Sequence, residues 1–375
     1  MNQLSSDILS CTFATMNSNL ENEKARRWVS AWIITGVVML LIQVVLGGIT
    51  RLTGSGLSIT EWNVVTGALP PLNEQHWITE FEKYKQTPQY RLLNTAFTLS
   101  DFKFIFFWEW FHRFWARLIG VVFLVGFVYL VAKRYLKQDM QKPLLILFLF
   151  GALQGAIGWI MVASGLTGDA VYVKPTRLAL HFIFALGLIS YAWWFALELR
   201  VRKTARIQNG PLRTFTWVLL IILVVQLIFG ALMAGHKAAL AAPTWPSING
   251  SAWPDAAFQG PVLIKDLVEN KISIHLIHRS LAYALFILII IYFLQCLKVG
   301  KSGIFARFSR YPLILVVLQL VLGIASVLLS TRIVPNHWGP FEWMAQLHQV
   351  TGMLLLLSIV NMLYIIQPIQ KIGQP

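Results

Sequence analysis

The chain has 375 residues, 57% of them hydrophobic and only 13% charged. This balance excludes an ordinary water-soluble core, because so much apolar surface could not be hidden inside a fold of this size. The formal net charge of +15 would suit nucleic acid, but the placement of the charges excludes that reading.

In chain order, a polar segment rich in Ser and Asn comes first (residues 1–27). It lacks an apolar h-region, so no cleavable secretory signal is expected, and it is too acidic and Arg-poor for a mitochondrial presequence. Apolar runs follow at 28–50, 104–131, 143–164, 178–199, 214–235, 272–297, 311–329 and 343–366. Each is near the length of about 20 residues that crosses a bilayer as a helix. The pattern predicts an all-α integral membrane protein with eight transmembrane helices. A short tail, 369–375, closes the chain.

With the N-terminus placed in the cytoplasm, the inner segments hold 17 basic and 5 acidic residues, while the outer loops hold 11 and 10. Asp7, Glu21, Lys301 and Lys371 are among the inner charges. The basic excess is therefore the positive-inside signal of a protein with both termini cytoplasmic, and no nucleic-acid partner is expected. Cys11 falls in the inner tail and Cys296 at the inner end of the sixth span, so no extracytoplasmic disulfide is expected. A bacterial inner membrane is the simplest location.

The sequence repeats itself. Gln43, Gly47, Trp62, Gly67 and Pro71 match Gln226, Gly230, Trp245, Gly250 and Pro254 at one offset of 183 residues. Gln154 and Gly158 match Gln319 and Gly323 at 165, His112-Arg113 matches His278-Arg279 at 166, and His181 matches His348 at 167. The drop in offset places the length difference in the long first outer loop, 51–103. Four spans per unit is an even number, which predicts two tandem four-helix bundles related by a pseudo-twofold axis along the membrane normal. The halves are 28–205 and 206–368.

Of eight histidines, His76, His236, His275 and His337 fall in outer loops or at helix mouths. His112, His181, His278 and His348 fall in the second, fourth, sixth and eighth spans, at similar depth in the outer half of the bilayer. An ionisable side chain there is costly and points to function. One such histidine alone would suit an interhelical hydrogen bond; four at matched positions suit ligation. Two histidines from different helices, with no Cys or carboxylate cluster beside them, suit axial ligation of an iron porphyrin better than a zinc site. The aromatic side chains around His112 suit a large flat ligand. Arg113 and Arg279 follow their histidines and could pair with porphyrin propionates; the plainer readings are an interhelical salt bridge or snorkelling.

One position breaks the symmetry. Glu109 lies on the face of His112, three residues before it, where the other half has His275. It is the one carboxylate well inside a span. It could serve as a proton acceptor beside a bound macrocycle, or as a structural partner of Arg113 or Arg117. This asymmetry puts reaction in the N-terminal half and an electron-holding haem in the C-terminal half.

The stretches GGITRLTGSGLSITEWNVVTGALPP, EWFHR, VKPTRLALHF and LIHRS, with the duplicated histidine pattern, resemble the haem A synthase family from about residue 28 to 366, and its proteobacterial and mitochondrial branch in particular. The first outer loop lacks the cysteine pair that some bacterial members carry. The resemblance implies oxidation of a methyl group of haem O to the formyl group of haem A by successive hydroxylations, and a resident haem b. It implies His112 and His181 as axial residues at the substrate haem iron, Glu109 as the essential acid, and His278 and His348 as ligands of the haem b iron. Haem O synthase and terminal oxidase assembly factors would then be neighbours in the membrane, and a homo-oligomer stays open. The alternatives are a bis-His di-haem electron-transfer cytochrome, which has little need of Glu109, and a haem carrier, which would be expected to show broken helices or an inverted repeat. The long outer loop, with Trp62 and the Pro70-Pro71 turn, is expected to dock on the membrane face and cap the substrate pocket.

Overall fold

The structure is a computed structural model that describes residues 2–61, 69–300, 303–334 and 337–367, with side chains from residue 22 onward. Trp62, Gly67, Lys301, the side chains of Asp7, Cys11 and Glu21, and the tail with Lys371 lie outside the described residues.

The helices are α1 (Asn2–Leu52), α2 (Glu74–Lys85), α3 (Pro88–Leu93), α4 (Leu99–Ala132), α5 (Gln138–Ala163), α6 (Pro175–Arg200), α7 (Gly210–Gly235), α8 (Leu263–Glu269), α9 (Lys271–Val299), α10 (Gly303–Phe308), α11 (Arg310–Leu329) and α12 (Pro340–Ile365). Eight of the described helical segments are long and apolar enough to cross a membrane: those of α1, α4, α5, α6, α7, α9, α11 and α12. They overlap the eight predicted runs, but the spanning segments of α1, α4, α5 and α11 start a turn or more early, at Asn22, Leu99, Gln138 and Gly303, and α1 itself runs from Asn2 through the stretch read as a polar tail. At α4 the cause is a reciprocal cap. The Asp101 amide donates to Thr98 Oγ1 at 3.3 Å, and the Thr98 amide donates to Asp101 Oδ2 at 2.9 Å, which satisfies two amides the helix itself leaves orphaned.

Helices α1, α6, α7 and α12 form the centre: α1 packs on α6, α6 on α7, and α12 on all three. Around them α4 flanks α1, α5 flanks α6, α9 flanks α7 and α11 flanks α12. The apolar window of α12 is 72% buried against 6% for α4, so α12 is a core helix and α4 is peripheral. The peripheral helices differ between the halves. α9 and α11 pack on each other, whereas α4 and α5 do not pack along their lengths.

Polar contacts join the two halves. Trp193 Nε1 donates to Asn361 Oδ1 at 2.7 Å. Gln346 and Gln349 Nε2 donate to the carbonyls of Val45 and Val44 at 3.1 and 3.0 Å; at Gly48 a Cβ would stand 2.7 Å from Gln349 Nε2, so a side chain there would push the amides aside. At the inner end, β1 (Ile207–Gln208) pairs in parallel with β2 (Ile366–Gln367). Arg213 donates to the carbonyls of Leu363, at 2.9 Å, and Ile366. Cations suit these last carbonyls of α12, which carry the negative end of its dipole.

The long outer loop folds. Asn73 caps α2, accepting from the His76 amide at 2.9 Å, and Thr87 with Pro88 starts α3. Phe81 and Tyr84 of α2 stack on Phe102 of α4 with ring centres 5.1 and 5.3 Å apart. Burial pushes the Tyr84 phenol up to about 12. The phenol donates to Gln89 Oε1 at 3.0 Å, and Gln89 Nε2 reaches the carbonyls of Gly54 and Val171 at 3.3 and 3.4 Å. The loop thereby bridges the outer ends of α1 and α5.

Candidate functional site

The four intramembrane histidines sit in one recurring setting. Each projects from α4, α6, α9 or α12 toward a Gln and a Gly one turn apart on a neighbouring helix. Gln43 Nε2 donates to the His112 carbonyl at 3.2 Å, and a Cβ at Gly47 would stand 3.3 Å from His112 Nε2. Gln154 Nε2 donates to the His181 carbonyl at 3.1 Å and lies 3.1 Å from its Nδ1; a Cβ at Gly158 would come within 2.9 Å of His181 Cε1. Gln226 Nε2 lies 3.5 Å from His278 Nε2, and a Cβ at Gly230 would be 3.2 Å from His278 Cε1. Gln319 Nε2 lies 3.3 Å from His348 Nε2, the Gln319 carbonyl 3.0 Å from His348 Nδ1, and a Cβ at Gly323 would be 2.8 Å from His348 Cε1. The Gln-x-x-x-Gly pairs that mark the repeat in sequence are thus the seats of the histidine rings.

The four histidines line one cavity of about 1930 Å³. His278 and His348 face each other from α9 and α12, their ring centres 6.3 Å apart and their planes 72° apart. Two metal–imidazole bonds of about 2 Å each, plus the reach from nitrogen to ring centre on both sides, fill that separation. The separation is thus the one that two rings holding a single iron would have. Among the described residues no group of three or more His, Cys, Asp or Glu could hold a metal ion.

Glu109 is buried and fully engaged. Its Oε2 accepts from Ser58 Oγ at 2.7 Å and from the Ile59 amide at 2.9 Å. Its Oε1 accepts from Arg113 Nη2 at 2.6 Å. The structural partnership with Arg113 is therefore present, and the same carboxylate lines the cavity with His112. Ser58 and Ile59 belong to the GSGLSITEW stretch, whose local role is to cradle this carboxylate. His275, at the matched position of α9, is fully buried at the helix mouth; its Nε2 contacts the Ala238 carbonyl at 3.0 Å. Both residues tether an outer loop, but only Glu109 brings a carboxylate.

The two arginines are also matched. Arg113 Nη2 donates to the Ile59 carbonyl at 3.3 Å, and Arg279 Nη2 donates to the Ala242 carbonyl at 3.0 Å; Ile59 and Ala242 share the 183-residue offset. Arg279 Nη1 also reaches the Ser247 carbonyl at 3.1 Å. Each guanidinium pins the outer loop over its half, and each lines the cavity. Sequence reasoning missed the glutamines as histidine partners and Ser58 as a partner of Glu109. The recurrence of Gln at fixed offsets was the available signal for the former; nothing local to Ser58 marks the latter.

Fold and site together define a polytopic membrane protein with paired histidines in two matched positions, opening on a shared cavity. A family model described as cytochrome oxidase assembly protein (COX15-CtaA) matches residues 30–360. The chain is 41% identical over 334 residues to a heme A synthase of Bradyrhizobium sp. (strain ORS 278), covering 88% of each chain. It is 38% identical over 346 residues to one of Flavobacterium johnsoniae, covering 91% of this chain and 98% of the relative. It is 37% identical over 352 residues to one of Cereibacter sphaeroides, covering 90% and 87%. The chain belongs to the COX15-CtaA family of cytochrome oxidase assembly proteins.

Proposed function

We propose that this protein is a haem A synthase, an oxidoreductase of the bacterial inner membrane that converts the methyl group of haem O to the formyl group of haem A. The N-terminal half, 28–205, takes the substrate haem between His112 and His181. The C-terminal half, 206–368, holds a resident haem b between His278 and His348. Arg113 and Arg279, which line the cavity on its outer side, are suited to the propionate edges. The relatives' shared activity supports the reaction, and the 6.3 Å ring separation of His278 and His348 supports the resident haem. The observation that carries the division of labour is the replacement of His275 by Glu109 in otherwise matched settings.

Methyl to aldehyde removes four electrons and, with water as the balancing oxygen source, four protons. The site therefore needs an electron outlet and a proton acceptor. A bound haem b supplies one-electron acceptance and relay. Glu109 supplies the acceptor. Its carboxylate is held at fixed orientation by Ser58, Ile59 and Arg113, so it needs no reorganisation as protons leave. Haem O synthase and terminal oxidase assembly factors are the natural partners for supply and delivery.

Glu109→Ala is expected to lower conversion by 10²-fold or more, within the range general-base removal produces, while the resident haem stays bound at full stoichiometry. Wild-type turnover in that variant would remove Glu109 from the chemistry. A passive di-haem cytochrome would instead keep both haems and alter neither.

A further inference from the structure

We propose that an apolar canal running inward from the N-terminal histidine pair, between α1, α4, α5 and α6, holds the isoprenoid tail of the substrate haem. The inference rests on reading that pair as the substrate site. The cavity wall on α4 continues past His112 through Phe123, Leu124, Phe127 and Val131, and on α5 through Phe148, Leu145 and Leu144. From His112 to Phe127 the helix rises about 22 Å, room for a chain of several isoprene units. In the C-terminal half the lining of α9 ends at Leu285, about two turns below His278.

The repeat explains why one half is open and the other filled. Gly36, Gly120, Gly151 and Gly155 all line the cavity, and a Cβ built on any of them meets no atom within 4 Å. Their counterparts at the repeat offsets are Leu219, Phe286, Val316 and Leu320. Leu219 and Val316 are buried in the core and Phe286 packs against it, while Val316 and Leu320 put side chains on the cavity wall where the N-terminal half has glycine. The missing contact between α4 and α5 is an independent sign of the same difference, since α9 and α11 close on each other. Beyond Arg117, which lines the wall just inward of His112, the canal wall is apolar until Arg134 and Gln141 at its inner end. An uncharged hydrocarbon chain continuous with the porphyrin is the occupant such a wall favours, and the cleft between α4 and α5 lets it slide in sideways from the bilayer. A haem that stays in place needs no such tail slot, which is why the C-terminal half has none.

The test titrates purified full-length protein, its C-terminal haem in place, with haem O and separately with haem B, which has no tail, following occupancy of the second site by visible absorption. The wild type should bind haem O at least tenfold more tightly than haem B. G151V/G155L, which installs side chains of the C-terminal type, should bring haem O down to the affinity of haem B and leave haem B unchanged. G120F blocks the opposite wall and gives the same test if the α5 variant loses its C-terminal haem and so has not folded. Equal wild-type affinities, or an undiminished preference for haem O in a folded blocking variant, would overturn the tail canal while leaving the substrate site standing, with the canal then a place for lipid. If neither haem enters the N-terminal half, the substrate site itself falls, and the canal proposal with it.

Discussion

Gly323 and Gly158 occupy the tightest positions in the molecule's histidine settings, where a Cβ would come within 2.8 and 2.9 Å of an imidazole carbon. Overfilling a packed site costs about 1–3 kcal/mol, and here the side chain that must yield is the proposed ligand. Gly323→Ala is expected to displace His348, lower haem content in the C-terminal half by tenfold or more, and spare the N-terminal half. Gly158→Ala is expected to act on His181 alone. Haem-to-protein ratios for the two variants check this, and full occupancy in both would show that the close approach does not set the rings. The four histidines were legible in sequence because a histidine inside an apolar run has few neutral explanations. Their Gln and Gly seats were visible only as repeat markers, because contact across helices depends on which faces meet. The Glu109 lock was half legible. Its spacing to Arg113 is a helix turn, but Ser58 lies 51 residues away in a loop whose path no local pattern dictates.

Among the elements, the junction of α8 and α9 carries a pH-sensitive tie outside the membrane spans. Asp266 accepts from Ser273 Oγ at 2.7 Å, from Asn270 Nδ2 at 3.0 Å and from the Gly260 amide at 3.2 Å. The Ser273 hydroxyl foremost, then the other donors, holds the carboxyl below the ordinary carboxylate range. A depressed value in the folded state means that the stabilisation is fully present above the unfolded value of about 3.9 and is lost as pH falls through the folded one. The 255–273 segment should therefore resist proteolysis at neutral pH and loosen only in acid, while Asp266→Asn should be loose already at pH 7. Equal cleavage of wild type and variant at pH 7 would contradict this. The spanning helices were legible from apolar run length, which the bilayer fixes. The short helices α2, α3 and α8 were not, although Asn73 and Thr87-Pro88 are recognisable start signals. They are too short for periodicity to show, and tertiary contact, such as Phe81 and Tyr84 on Phe102, is what holds them.

For the whole molecule, the charge pattern makes a prediction of sidedness. In a variant with Cys11 and Cys296 replaced by Ser, a single cysteine at position 255 should react with a membrane-impermeant thiol reagent applied to intact cells, and one at position 203 only after lysis. The reverse pattern would invert the orientation read from the basic inner segments. Offsets that hold over whole spans point to a duplicated four-helix plan, and the matched Gln, Gly and His settings fit it. What the offsets could not reveal is how the halves diverge in packing. Glycines such as Gly151 and Gly155 look interchangeable with small helix-contact residues until the structure places them beside open space. The central claim is that one half holds a haem so that the other can oxidise one. It is tested most directly by expressing the chain in a host that makes haem O but no haem A, then extracting the haems for mass analysis. Haem A or its hydroxylated precursor, together with one haem B per protein, is the predicted result; unmodified haem O and haem B from a folded, haem-loaded protein with an electron acceptor supplied would contradict it.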